Sequence, residues 1–443
     1  MKSKYATSAI GPDVVIPRAD EASFESRTYG KVIRRLIPFL MLCYLGAYLD
    51  RVNVGFAKLQ MLNDLQFSET IYGLGAGVFF LGYFLFEVPS NMILHKVGAR
   101  NWLARIMLTW AVISAGFAFV STPTQFYALR FLLGVAEAGF APGVILYLTY
   151  WFPSERRAKA LSMFFMAIPL AGIVGGPLSG WIMHAFHGAY ELAGWKWLFL
   201  IEALPSLVLG ITILFYLDNG IKDAKWLTEQ EKSLLLRNVE GDNAQKVQHV
   251  SIRAFMADRR LWLMAAIYFC VVLGQYGLTF WLPTIIRKSG VADPLWIGVL
   301  TAVPYLCAII ALPLIGLSAD RRRERRLHLA VPMLVAAVGF ATLPMLGSVT
   351  AAIVCLCVAA AGIITSSSQF WALPTAVLGG MSAAAGIAAV NCVANLAGFF
   401  SPTIVGWLND LTGKSTAGLI FISATVVLGA CLVFLVPARV VNR

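Results

Sequence analysis

Charge is scarce in this chain. Asp, Glu, Lys and Arg supply 13% of its 443 residues, against about 25% in soluble domains, while apolar residues supply 59%. A chain so poor in charge is not built to be surrounded by water, and most of it is expected to lie in lipid. Histidine is scarce as well. The five histidines (95, 184, 187, 249 and 328) stand near the ends of apolar runs or in loops, with no Ser or Cys elbow beside them, so a hydrolytic enzyme lacks its nucleophile and base. A phosphate-binding loop is missing too. The one lookalike, "TGKST", would need its first glycine at Leu408, so an ATP-driven pump is excluded. Residues 1–30 contain no apolar core of the kind a signal peptide has and read as a polar tail. The seven cysteines (43, 270, 307, 355, 357, 392 and 431) all fall inside apolar runs and read as small buried side chains, not as a disulfide framework. The CxC at 355–357 has no His or second Cys pair near it, so neither a metal nor an organic cofactor is expected.

Long apolar runs are what the chain does have. Leu36 to Ala57 is 22 residues, about 33 Å of helix and enough to cross a bilayer. Eleven more runs follow, at roughly 71–94, 101–120, 126–150, 160–186, 195–217, 261–286, 295–317, 328–346, 349–378, 381–408 and 416–437. Their length without alternation excludes a β-barrel, the other structure that satisfies its backbone in lipid. Of the 35 Lys and Arg, 27 flank the side on which both termini would lie, five flank the other side, and Arg51, Arg105 and Arg130 remain within spans. That bias places both termini in the cytoplasm. It also accounts for the net charge of +12 without a nucleic-acid partner, since the basic residues simply border helices.

The chain divides into a tail (1–30), a first six-helix bundle (31–218), a cytoplasmic linker (219–257), a second six-helix bundle (258–437) and a short tail (438–443). Within the linker, "DAKWLTEQEKSLLLRNVE" has helical spacing and is expected along the inner membrane surface or as a solvated connection. The halves are related by an offset of 225 residues. "GGPLSGW" meets "FSPTIVGW" through Pro177 and Pro402, "NMILHKVGAR" meets "GLSADRRRER" through Asn91 and Gly316, and the spans that start at Leu36 and Leu261 obey the same offset. The expected fold class is an all-α membrane protein of twelve transmembrane helices in two six-helix pseudo-repeats. Repeated halves are typical of transporters, with the substrate site between them near the midplane. The offset pairs Asp50 with Gln275 and Arg51 with Tyr276, so one half offers charges where the other offers neutral polar groups. Such asymmetry suits a site that grips an anion from one side and shapes its body from the other.

Charges inside spans are costly, about 2.5–3.5 kcal/mol each at the bilayer centre on insertion scales. In "YLDRVNVGFA", Asp50 and Arg51 interrupt an otherwise apolar segment. Arg51 is the candidate anion ligand, because a guanidinium grips a carboxylate bidentately and stays charged. Arg130 and Glu137 lie seven apart, nearly on one helix face, and Glu137 and Asp50 are candidate proton carriers. A structural ion pair between spans 1 and 4, with Arg130 set against Asp50 or Glu137, is the competing reading. Glu87 and Glu202 lie in spans near an interface and are expected to be structural. The second half contributes "SSSQFWALPT" and "NCVAN", polar groups that either line the site or bond across helices, and the aromatics Tyr48, Tyr83, Tyr276 and Trp371 either line a cavity or pack.

"YLDRVNVGFA", "FEVPSN…VGAR", "RFLLGVAEAGFAPG" and "YWFPSERRAKA" together resemble the bacterial anion:cation symporter family of the major facilitator superfamily, whose carriers take tartrate, phthalate, hexonates and hydroxyphenylacetate. The resemblance covers all twelve spans. It implies a monomeric multi-pass carrier in the bacterial inner membrane, performing proton-coupled symport of an organic carboxylate, with an exchanger or uniporter of the same fold as the alternative and a channel or receptor as a more distant one. It implies Asp50 and Glu137 as proton-coupling carboxylates, Arg51 and Arg130 as substrate-side and coupling arginines, and Tyr48, Tyr83, Gln275, Tyr276, Gln369, Trp371 and Asn395 around the substrate. The superfamily's 2–3 loop signature has Asp where this chain has His95, whereas the 8–9 copy keeps Asp320 followed by Arg321, so gating is expected from the second copy.

Overall fold

A computed structural model describes residues 18–244, 258–345, 347–377 and 382–441. Among these residues, twelve helices are long and apolar enough to cross a membrane. They are span 1 (Ala22–Leu65), span 2 (Glu69–Val97), span 3 (Ala99–Phe119), span 4 (Pro123–Thr149), span 5 (Ser154–Ala185), span 6 (Gly194–Tyr216), span 7 (Arg259–Lys288), span 8 (Pro294–Arg322), span 9 (Arg326–Met345), span 10 (Val349–Pro374), span 11 (Ala389–Thr412) and span 12 (Thr416–Val433). Each overlaps one apolar run of the sequence. The first helix already runs at Arg18, well ahead of its apolar run. Spans 2 and 8 are both 29 residues long, and their first residues, Glu69 and Pro294, stand 225 apart.

Several spans are broken. Span 4 stops at Glu137 and restarts at Phe140, with Gly139 between them at φ 88°, a left-handed conformation that glycine adopts without a Cβ penalty. A Cβ there would also strike the Ser90 side chain. Spans 5 and 11 break at Met166 and Leu396. Irregular backbone at membrane depth is tolerated where it is buried in protein or lines a cavity.

The linker helix Glu229–Ala244 is docked on the first half. Lys31 of span 1 pairs with Glu231 at 2.9 Å, Asn238 donates to Glu25 and to the Tyr29 hydroxyl, and Ser154 donates its backbone N–H to Asp242. Ahead of it, Trp226 stacks on Trp151 with ring centroids 5.7 Å apart.

We call the side where span 1 starts the basic face and the opposite side the far face. The ties between the halves cluster near the far face. Asp410 at the end of span 11 accepts the backbone N–H groups of Glu69 and Thr70 at 3.2 and 2.7 Å, capping span 2 from the other half. The Tyr72 hydroxyl donates to the Phe280 carbonyl at 3.1 Å, Arg287 donates to the Leu59 carbonyl, and His184 meets Asp293 at 2.9 Å. Lys58, buried at 4% exposure, pairs with Glu69 and lies 3.5 Å from the centre of the Trp281 ring. Glycines make these crossings possible. A Cβ on Gly73 would run into the Pro402 carbonyl, and one on Gly298 into the Gly176 carbonyl; Gly73 and Gly298 are again 225 apart.

Asp410→Ala removes a cap of about 1 kcal/mol and is expected to lower the closed-to-open ratio of the far face roughly fivefold. Distances between spin labels at the far ends of spans 2 and 11 report this as a larger long-distance population. An unchanged distribution would remove Asp410 from the closure.

Candidate functional site

Asp50 and Arg51 are neighbours in sequence, but successive helical residues point about 100° apart. The structure sends them to opposite surroundings. Asp50 turns toward spans 3 and 6. There its carboxylate accepts from Ser114 at 2.7 Å, Ser206 at 2.7 Å and the Trp110 indole at 3.2 Å, and it is 1% exposed. Arg51 turns to the middle of the molecule. Both were expected on one path; only Arg51 faces it.

Arg51 donates to Glu137 of span 4, forming a buried ion pair. Its guanidinium carbon lies 5.9, 5.4 and 5.3 Å from the ring centres of Tyr48, Phe79 and Tyr83. The Tyr276 side chain of span 7 lies beside the same guanidinium, and Arg51 Nε keeps an unfilled donor. The 225-residue pairing therefore brings Arg51 and Tyr276 together across the halves. The carboxyl of Glu137 sits at the last helical position before the break of span 4.

Arg130 does not pair with Asp50 or Glu137, which corrects the ion-pair reading. Its guanidinium donates to the Gly75 and Ala76 carbonyls of span 2, each at 3.2 Å. Small residues leave those carbonyls approachable, and a helix carbonyl has a second lone pair to offer. Arg130 also lies 5.0 Å from the centre of the Phe79 ring, so both buried arginines lie against this ring. Phe79 carried no sequence signal, since one phenylalanine among 28 looks like lipid-facing bulk.

Two small cavities lie near this centre, and both are lined by Tyr48, Thr279 and Tyr305. Gln275 lines the second. Tyr276 packs its ring on Phe80 at 4.5 Å. Trp371 lies at the end of the long helix of span 10, 4.7 Å from the Tyr268 ring. Gln369 is 9% exposed and faces Gly316 of span 8. Asn395 ends the first helix of span 11, at its break. Gln369 and Trp371, at the end of span 10, stand nearer the basic face than Arg51 does. Asp320 pairs at 2.6 Å with Arg325 of its own loop, so this pair ties no halves together here. His95, in the first copy, bonds the Tyr150 hydroxyl at 3.0 Å within its own half. The closing contacts that sequence reasoning missed are those of Lys58, Glu69, Asp410 and Arg287. They had no motif, because their contacts across the halves join residues more than 200 positions apart, several of them through backbone groups.

Comparison with known proteins agrees with this architecture. A family profile described as Major Facilitator Superfamily matches residues 40–402. NicT, a proposed metabolite transport protein of Pseudomonas putida, is 48% identical over 417 residues, 94% of this chain and 95% of its own. A proposed tartrate transporter of Agrobacterium vitis is 47% identical over 420 residues, 94% of this chain and 96% of its own. The crystal structure of a bacterial homologue of the human lysosomal transporter Spinster, inward-facing and occupied, superposes with a TM-score of 0.73 at 16% identity, covering 91% of this chain and 96% of that one.

Proposed function

We propose, from the premise that this chain belongs to the Major Facilitator Superfamily of membrane transporters, that it is a proton-coupled symporter that takes up an organic carboxylate anion. The observation that carries this reading is the Arg51–Glu137 pair, a permanent cation held by a protonatable carboxylate and ringed by Tyr48, Phe79 and Tyr83. A substrate carboxylate and the Glu137 carboxylate are rival partners for one guanidinium. A proton on Glu137 removes the rival and leaves Arg51 to the substrate. Symport follows if the loaded carrier reorients with Glu137 protonated and the empty carrier reorients with the Arg51–Glu137 pair restored.

In this reading the hydroxyls of Tyr48, Tyr276, Thr279 and Tyr305, with the Gln275 amide, receive the body of the substrate. A hydroxylated acid suits such a lining, and the tartrate-named relative is consistent with it. Gln369, Trp371 and Asn395 lie along the route from the basic face. Arg130 is a positioning residue, fixing Phe79 and span 2 beneath Arg51. Asp50 is a second proton-carrying carboxyl. The site lies in the bacterial inner membrane with both termini cytoplasmic, so the far face is periplasmic and the ties there describe a carrier closed to the outside. Asp320 and Arg321 belong to the cytoplasmic gate that closes when the far face opens.

A thermal-shift screen of the purified carrier tests the substrate class. Organic acids of the tartrate, phthalate and sugar-acid types are expected to raise the melting temperature, more at acid than at alkaline pH, with neutral sugars of the same size giving no shift. Stabilisation by neutral sugars alone would overturn the anion assignment.

A further inference from the structure

Behind span 1, on the side turned away from Arg51, lies a second buried carboxyl. Glu202 of span 6 is 1% exposed and takes one hydrogen bond, from Ser179 of span 5 at 2.6 Å to its Oε1. Its Oε2 has no completed partner and faces the Asn53 amide of span 1, which is fully buried and completes no hydrogen bond through either Nδ2 or Oδ1. One helical turn along, Asp50 and Ser206 repeat the arrangement between the same two helices. Asp50 is the charged group facing Glu202; the neighbouring spans add the neutral groups Ser114, Trp110 and Ser179.

The two carboxyls are supported unequally. Asp50 accepts three hydrogen bonds, enough to hold a carboxylate as an anion, whereas Glu202 accepts one. Two buried anions sharing one site without a cation are unfavourable. The proton therefore belongs on Glu202, where its Oε2–H meets the Asn53 Oδ1. If Glu202 loses that proton, rotation of the Asn53 amide presents Nδ2 as a donor to the resulting carboxylate. Asn53 can serve both protonation states, which a hydrophobic residue or a fixed donor could not.

We propose that Glu202 and Asn53 form a proton-holding site in the first half, separate from the Arg51–Glu137 pair, and that Glu202 exchanges its proton once per transport cycle. The exchange rests on the proton-coupled reading above; the holding of the proton does not.

Infrared spectroscopy of the carrier in lipid at neutral pH tests the holding. The spectrum of Glu202→Gln should lack one carboxylic-acid carbonyl band present in the parent, a band that shifts in deuterated water. Ser179→Ala, which leaves the acid in place, should move that band without removing it. Loss of no such band in Glu202→Gln, or no movement in Ser179→Ala, would overturn the site. Charge movement per substrate in proteoliposomes tests the exchange. Glu202→Gln should translocate one proton fewer per substrate while still binding substrate with the parent's thermal shift. An unchanged stoichiometry would overturn the exchange. A parent carrier that no proton gradient drives would instead defeat the symport reading and leave the infrared result to judge the site.

Discussion

Arg51→Ala is expected to weaken substrate binding by roughly 30- to 5,000-fold, the equivalent of about 2–5 kcal/mol for truncating one member of a buried, hydrogen-bonded charge pair. Two effects act together. The substrate loses its cation, and Glu137 is left in apolar surroundings without the partner that holds it in the folded carrier. Arg51→Lys separates them. The ammonium preserves charge opposite Glu137 but lacks the planar fork, and it cannot serve Glu137 and the three surrounding rings from one position. The lysine variant should therefore fold with near-parental thermal stability and still bind weakly. Isothermal titration with the best acid from the screen measures both variants. Near-parental affinity in Arg51→Ala would remove Arg51 from the site.

Glu137→Gln is expected to abolish accumulation of substrate driven by an inward proton gradient while preserving counterflow of substrate against substrate. The amide imitates the protonated acid in shape but has no proton to release. Arg51 is then free at every pH, so the loaded carrier forms and reorients, and exchange proceeds. The empty carrier can no longer restore its internal ion pair, and net transport loses its coupling. Asp50→Asn should also reduce accumulation, by a different route. It leaves Arg51–Glu137 intact and alters a carboxyl that Ser114, Ser206 and Trp110 hold on the other side of span 1. Radiolabelled uptake in proteoliposomes, with and without a proton gradient, measures both. Undiminished accumulation in Glu137→Gln would assign the coupling elsewhere.

The spans were legible because lipid leaves a one-dimensional trace. Twenty apolar residues in a row have few other fates, and the paired lengths of spans 2 and 8 appear in the sequence as the 225-residue offset. Arg51 was legible for the same reason, as a cation that lipid would otherwise exclude. Direction was harder to read. Nothing in "YLDRVNVGFA" says that Asp50 looks one way and Arg51 another, since the partners of Asp50 lie 60, 64 and 156 residues distant and are an ordinary tryptophan and two ordinary serines. Arg130 and Glu137 share a face by spacing, yet Arg130 found the backbone of span 2, which no side-chain pattern encodes. Gly139 of "AEAGFAPG" serves a break that sets Glu137 at a helix end. Glu202 read as structural because a lone carboxyl near a span end is usually solvated, and only the packing of spans 1, 5 and 6 buries it.

Proton uptake on substrate binding addresses the Arg51–Glu137 exchange most directly. Titrating the purified carrier with its organic acid in weakly buffered solution near neutral pH, with a pH indicator present, should register uptake of about one proton per bound anion as Glu137 gives up Arg51. Glu137→Gln should bind the same acid with no uptake through this group, and with an affinity that no longer falls as pH rises. Equal proton uptake by the parent and by Glu137→Gln, with the same pH dependence of affinity, would contradict the exchange of partners on which the proposed coupling stands.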